Sequence, residues 1–384
     1  MKRLFLISVI INCQLLIAYP INAQSNLVSA NVVNIVNVFP QDAYFNNNQQ
    51  AEVHISIDKS NPKYLIICAN TNDQSIYPPP TLNQGYYYSQ DGGNTWSGDD
   101  AFPLSGNING DPSTAIGTDG KEYITSIIDN GSPHYYNIIY TLAVSTNHGA
   151  SWSTAPIPNV TTTQSFDKEM IAVDDEAGSS YVNNFYCTYV VNSIYTVNFN
   201  CLPAGSPSFN SPQVLYTQSG TNPSGLGPNV QTGPNGEVYV CWASYPSPNF
   251  GYSPCNGFYF CGSNDGGSTF ASPSPYPAVS YSGIDIKGSF QQEPTYFNNT
   301  GMNSHPTMAV DKSCGPNNGR IYVAFAAIDG SNNRVIQVTH SDSKGISGSW
   351  STPVTVSISP STSSSSFPWI AVDDVTGVVC IDYL

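Results

Sequence analysis

The sequence predicts an all-β protein, a six-bladed β-propeller, and three observations carry that prediction. The composition holds 31 Gly, 29 Pro and 25 Tyr but only 10% charged residues, which suits many short strands joined by turns. A unit of apolar strand, turn and second β-rich strand recurs six times along the chain. An eight-residue turn pattern falls between several of those copies.

The first 23 residues read as a secretory signal peptide: Lys2 and Arg3, an apolar stretch from Leu4 to Ala18, then Ile21-Asn22-Ala23 before Gln24. Asn12 and Gln14 interrupt that stretch, which falls short of the ~20 residues a spanning helix needs. A secreted, extracellular protein without a membrane span is expected. Residues 24–50 form an N-terminal segment in which LVSANVVNIVNVF looks strand-forming, and 51–384 form the repeat region.

Without the leader, nine basic residues face 26 acidic ones, a net charge of −17. Such a surface repels phosphate backbones, so nucleic acid is not an expected partner. Eight cysteines remain: Cys68, Cys187, Cys201, Cys241, Cys255, Cys261, Cys314 and Cys380. Cys255 and Cys261 flank a short segment and are the pair expected to bridge. Cys68, Cys187, Cys241 and Cys380 lie in apolar strand patterns that suit small buried thiols. No CxxC or HxxxH spacing is present, so no metal is expected. Neither is a cofactor, because no P-loop or dinucleotide fingerprint occurs, and a GxSxG elbow is likewise missing.

The six copies centre on Asp58, Asp119, Asp174, Pro234, Asp311 and Asp373, with steps of 61, 55, 60, 77 and 62 residues. Periodicity on this scale marks a repeat architecture, and six copies predict six blades. Between them, Ser89-Gln90-Asp91-Gly92-Gly93-Asn94-Thr95-Trp96 fits S-x-D-x-G-x-T-W at every fixed position. Ser263 to Phe270 fits with Phe270 for Trp, keeping Asp265 and Gly267. Ser145 to Trp152 is softer, with Asn147 and Ser151 substituted but Gly149 kept, and Ser341 to Trp350 is stretched by two residues. Cys201 to Phe209 stands where a fifth copy belongs, without its acidic residue. The chemistry is that of a turn latch: glycine supplies positive φ, the carboxylate accepts from turn N–H groups, and the aromatic wedges between sheets.

These octets resemble the Asp box of the bacterial neuraminidase repeat, and from about Glu52 to Leu384 the chain resembles the sialidase-like propeller superfamily. That resemblance implies four-stranded antiparallel blades with Asp boxes between the third and fourth strands. It implies a sixth blade left incomplete here, because the last copy stops after its second strand. Residues 27–45 could add an outer closing strand. Continuation of the natural polypeptide beyond Leu384, into further C-terminal domains, is the favoured expectation, since one segment can hardly replace both missing strands.

The resemblance also implies that ligands bind on the face opposite the Asp boxes, where residues just before each innermost strand converge. Those positions nominate Glu52, Asp111 and Asp167 as catalytic carboxylates. His54, Lys168, Glu169, His305 and Trp369, with Trp242 from the fourth blade, are nominated as ligand-binding residues. Clustered carboxylates can supply the acid and base of glycoside hydrolysis. Fixing of loops through strand-end hydrogen bonds is the plainer role for each carboxylate taken singly, and loop packing for each histidine. Rim aromatics Tyr77, Tyr245, Phe250, Tyr276, Tyr281 and Tyr296, beside Asp285, Lys287 and Glu293, could stack on sugars. They could equally pack loops. Asn130, Asn159 and Asn298 fit the N-glycosylation pattern.

Sialidases clamp their substrate's carboxylate with three arginines. After the leader this chain has only Arg320 and Arg334, neither at the family's positions. Ordinary exo-sialidase activity is therefore not expected. The leading expectation is a glycan- or glycoprotein-binding surface module, with a glycoside hydrolase using the same carboxylates as the alternative.

Overall fold

A computed structural model describes residues 14–16, 27–29, 48–73, 83–102, 107–129, 138–156, 166–191, 196–218, 224–246, 254–271, 277–283, 304–357 and 365–383. Tyr77, Phe250, Tyr276, Asp285, Lys287, Glu293, Tyr296 and the three glycosylation asparagines lie outside them. Every regular element among the described residues is a β-strand, and the strands form six four-stranded antiparallel sheets.

Near the N-terminus stand β1 (Gln14–Leu16) and β2 (Leu27–Ser29). The first sheet is β3 (Asn48–Ile57), β4 (Leu65–Asp73), β5 (Asn83–Ser89) and β6 (Ser97–Asp99). The second is β7 (Asn107–Ile116), β8 (Glu122–Asp129), β9 (Ile138–Ser145) and β10 (Ser153–Pro156). The third is β11 (Phe166–Val173), β12 (Phe185–Val191), β13 (Thr196–Leu202) and β14 (Gln213–Thr217). The fourth holds β15 (Ser224–Thr232), β16 (Val238–Tyr245), β17 (Gly257–Ser263) and β18 (Val279–Ser280). The fifth holds β19 (Thr307–Val310), β20 (Ile321–Ile328), β21 (Arg334–Ser341) and β22 (Val354–Thr355). Five sheets thus follow sequence order as meanders.

The sixth does not. Its strands β23 (Trp369–Val372) and β24 (Val379–Asp382) come from the last repeat, and β1 and β2 complete it in the order β2-β1-β24-β23. Leu15 pairs with Cys380 and with Val28. Two N-terminal segments thus stand beside β24 in this sheet, where the sequence suggested one outer strand from 27–45. β1 also lies inside the segment read as a leader. In a mature protein Gln14–Leu16 is either a strand of this sheet or part of a removed peptide, but not both.

The chain divides into two compact units, Val32–Ser193 with Phe199–Gln213, and Ile194–Asn198 with Ile11–Asn31 and Val214–Leu384. In the first, Ile66, Cys68 and Phe102 pack on Ile124 and Ala143, and Tyr123 and Leu142 pack on Phe185, Cys187 and Tyr189. In the second, Tyr239, Phe258 and Phe260 pack on Val323 and Phe325, and Ala324 and Ile336 pack on Ile370 and Ile381. Strands β12 and β16 are buried along their whole length. Both faces of each are therefore covered, which is why FYCTYVV and VYVCWASY are nearly continuous apolar runs.

The turn octets tie neighbouring strands. Asp91 accepts from the Thr95 N–H at 2.8 Å and the Thr95 hydroxyl at 2.7 Å, and Asp265 accepts from Thr269 at the same two distances. Ser89, Ser145 and Ser263 accept from the N–H groups of Gly93, Gly149 and Gly267 at 2.8, 3.0 and 2.9 Å. Those glycines have φ of 84°, 81° and 78°, a region costly for side-chain-bearing residues. In the softer copy Asn147 takes the carboxylate's place, accepting from the Ser151 N–H at 2.9 Å. Trp152 lies against Tyr86 and Phe102 of the preceding sheet, and Trp350 against Phe258 and Phe260. The aromatics thus wedge between sheets.

Every described cysteine is a free thiol, which corrects the expected Cys255–Cys261 bridge. Both belong to one extended stretch running into β17, where six residues span ~20 Å, far beyond the ~7 Å limit for disulfide Cα atoms. The Cys255 Sγ instead approaches the Gly257 carbonyl at 3.1 Å.

Two buried glutamates head second strands and show what a missing cation does. Glu237, 3% exposed, meets the Lys344 ammonium at 2.9 Å and the Asn235 N–H at 2.8 Å. Burial opposes its charge, but those partners hold its carboxyl below the ordinary value. Glu122, 1% exposed, is pushed up to about 8 by burial, with only the Ser145 hydroxyl and the Gly149 N–H opposing. Folded Glu122 therefore keeps a proton that the unfolded chain, at an ordinary 4.5, releases. Its contribution to stability is fully present below pH 4.5 and fades as pH climbs to about 8. Glu122→Gln should remove that decline. Thermal melts from pH 4 to 9 should show the variant gaining on wild type as pH rises, and parallel curves would contradict the assignment.

Candidate functional site

The site begins with a repeated irregularity in the innermost strands. In the first sheet Ala51 pairs with Asn70 and His54 with Cys68, so Glu52 and Val53 together face one residue. Asp111 and Pro112 bulge in the same way between the Gly110–Ile127 and Ser113–Thr125 pairs. Lys168 and Glu169 do so between Asp167–Val190 and Met170–Thr188, and Gly227 and Pro228 between Leu226–Ala243 and Asn229–Cys241. The first residue of each bulge is left-handed: Glu52 at φ 52°, Asp111 at 50°, Lys168 at 51° and Gly227 at 59°. Phe367, before β23, repeats it at 50°. A bulge leaves its extra residue outside the ladder and re-aims a side chain. Proline, which lacks an N–H, is therefore tolerated at the second position in Pro112 and Pro228.

In the first unit these bulges bring three charged side chains together. The Lys168 ammonium lies 2.9 Å from Asp111 Oδ1 and 3.2 and 3.3 Å from the two Glu52 oxygens. Asn70 donates through Nδ2 to Glu52 Oε2 at 3.1 Å. Glu52 is the outermost, with 46% of its side chain exposed, against 30% for Lys168 and 16% for Asp111. Lost hydration and a hydrogen bond with Asp111 push the Glu52 carboxyl up to about 7, against the pull of Lys168. For Asp111, burial opposes the charge. Lys168 and hydrogen bonds with Glu52 and Asp167 more than offset it and hold the carboxyl well below the usual range. Burial likewise works against the Lys168 charge, but Asp111, Glu52 and Asp167 keep the amine protonated. Glu169 is 3% exposed with neither oxygen hydrogen-bonded, and burial raises it well above the carboxylate range, so it is a neutral acid.

His54 joins two sheets instead of facing a ligand. The Thr114 N–H donates to its Nδ1 at 3.1 Å and the Thr114 Oγ1 lies 2.8 Å from the same atom. An Nδ1 that accepts places the ring proton on Nε2, and burial lowers the ring to about 4, so it is neutral.

Within the second unit, His305 packs on Gly227, where an added Cβ would stand 2.4 Å from the ring, and meets Tyr245 edge-on. Trp369 opens β23 opposite Asp382. Trp242 is corrected as a ligand-facing residue. It is fully buried, stacked on Tyr259, and an added Cβ on Gly225 would come within 2.8 Å of it. It stands opposite the Gly227–Pro228 bulge in a strand covered on both sides. Tyr245 is fully buried as well, and Tyr281 stacks on Phe325. Sequence reasoning missed Asn70 and Phe367. The Asp-Pro and Gly-Pro steps six and five residues before Gly117 and Gly233 were the available signal for two of the bulges. Among the described residues no group of three or more His, Cys, Asp or Glu side chains is arranged to hold a metal ion.

No family model matches the sequence, and no curated protein matches it. Solved structures do. The Hadza microbial sialidase Hz136 matches with a TM-score of 0.53 at 11% identity over 87% of this chain, which spans 65% of that sialidase. The leech intramolecular trans-sialidase, solved with 2,7-anhydro-Neu5Ac, matches with a TM-score of 0.56 at 13% identity over 94% of this chain and 69% of the enzyme. The α-L-arabinofuranosidase Arb93A from Fusarium graminearum matches at 0.51 and 12% identity over 88% of this chain and 93% of that one. The chain has the sialidase-like β-propeller fold.

Proposed function

We propose that this propeller is an exported glycan-binding module whose recognition mouth is built around Glu52, Asp111 and Lys168. The observation that carries the reading is the convergence of these side chains from three sheets through equivalent left-handed bulges. Fold neighbours that act on sialosides and arabinosides support a carbohydrate as the ligand.

Binding is favoured over hydrolysis by the spacing. Glu52 and Asp111 share one ammonium nitrogen and are hydrogen-bonded to each other, which is closer than the ~6.5–9.5 Å separation that an inverting glycosidase leaves for its water. The Lys168 ammonium is in contact with both carboxylates. A carboxyl near 7 beside an ionised one is the feature that favours the second reading, a hydrolase with Glu52 as acid/base and Asp111 or Asp167 as its partner. A sialidase-type clamp is disfavoured, since Arg320 is paired with Asp342 at 2.5 and 3.1 Å and no third arginine follows the leader.

A glycan array with the intact chain, run beside a hydrolysis screen over sialosides, arabinofuranosides and other glycosides, separates the two. Binding without product release is expected. Release that disappears in Glu52→Gln would establish the hydrolase instead, and an array without signal would remove the glycan reading. Export rests on the Lys2-Arg3 start, the apolar stretch and Ala23. Protein recovered from culture medium should begin at Gln24, and retention in cells with Met1 intact would contradict it.

A further inference from the structure

We infer that the mouth selects saccharides carrying a free primary ammonium group, that is, amino sugars without an acyl group on nitrogen, over acidic saccharides. This inference rests on the glycan reading above.

The mouth contains four carboxyl groups, Glu52, Asp111, Asp167 and Glu169, against one amine. That amine is already engaged: Lys168 spends its ammonium on Asp111 at 2.9 Å and on Glu52 at 3.2 and 3.3 Å. It has no further charge to offer a ligand's carboxylate, and an incoming anion would meet Glu52 first. Glu52 is the side chain most open to solvent, at 46%. A carboxylate accepts at about four lone-pair sites. Lys168, Asn70 and Asp111 engage Glu52, and the 46% of its side chain that stays open is the part a ligand can reach. Lys168 itself displays the complementary chemistry, since a primary alkylammonium already fits this carboxylate pair at hydrogen-bonding distance.

Glu169 is an independent pointer. It is 3% exposed, makes no hydrogen bond through either oxygen, and interacts electrostatically with Asp111, Asp167 and Lys168. Held there with its carboxyl raised by burial, Glu169 offers no positive charge to an anionic group, and a cation nearby favours its ionised form. At longer range, a formal charge of −15 draws cationic glycans toward the surface and repels acidic ones.

The experiment is calorimetric titration of the intact chain, at neutral pH and about 0.15 M salt, with three probes of matched length: a glucosamine oligomer, its fully N-acetylated counterpart and a sialylated oligosaccharide. The glucosamine oligomer should bind at least tenfold more tightly than either other probe. Glu52→Gln, with an unchanged melting temperature, should abolish that preference. Asp119→Asn, an exposed acid beyond the opposite end of β7, should preserve it. Equal or tighter binding of the acetylated or sialylated probe overturns the inference while leaving the glycan reading intact. A preference lost equally in Asp119→Asn overturns it as diffuse surface charge. No binding of any probe in the titration or of any glycan on the array overturns both.

Discussion

The left-handed residue within the innermost strands is the constraint on which the site depends. An ordinary strand alternates its side chains between two faces, so Glu52, Asp111 and Lys168 would be directed by pleat alone. The bulge places each of them outside its ladder at the same point of its own sheet. A left-handed conformation costs a side-chain-bearing residue ~1–2 kcal/mol, which glycine at 227 avoids. Where the first unit uses charged residues instead, the same distortion sets Glu52 and Asp111 beside the Lys168 ammonium. The backbone irregularity is thus what brings the charges together.

The same logic explains how the carboxylates differ. Burial opposes ionisation at Glu52, Asp111, Glu122 and Glu237, and the outcome at each depends on whether a cation or enough donors stand beside it. Glu237 has Lys344 and stays charged, whereas Glu122 has only a hydroxyl and an amide N–H and keeps its proton. Asp111 has Lys168 nearest and stays charged, whereas Glu52, sharing the same ammonium at a longer distance, is left near neutrality. A cluster arranged in this way sets the Lys168 ammonium against Asp111 and leaves Glu52 at its more exposed edge.

Much of the architecture was legible because it is local and periodic. The turn octets and the six strand pairs follow from patterns within single repeats, whereas Glu52, Asp111 and Lys168, expected before the inner strands, lie inside them at bulges. The readings that failed did so for separate reasons. VYVCWASY is apolar on both faces, the pattern of a strand covered on both sides, and assigning Trp242 and Tyr245 to a ligand-facing loop overlooked it. Pairing of Gln14–Leu16 with Val379–Ile381 joins opposite ends of the chain and leaves no local trace. Proximity in sequence also misleads in an extended strand, which is why Cys255 and Cys261 looked joined and are held apart.

The central claim, that three sheets deliver Glu52, Asp111 and Lys168 into one coupled cluster, is most directly tested by a carboxyl carbon NMR titration of the intact chain and of Lys168→Met. Glu52 should titrate near 7 and Asp111 well below the usual range, with Asp111 moving upward when Lys168 is replaced. Glu52 and Asp111 titrating independently at their ordinary values of 4.5 and 3.8, unmoved by the loss of Lys168, would contradict the account.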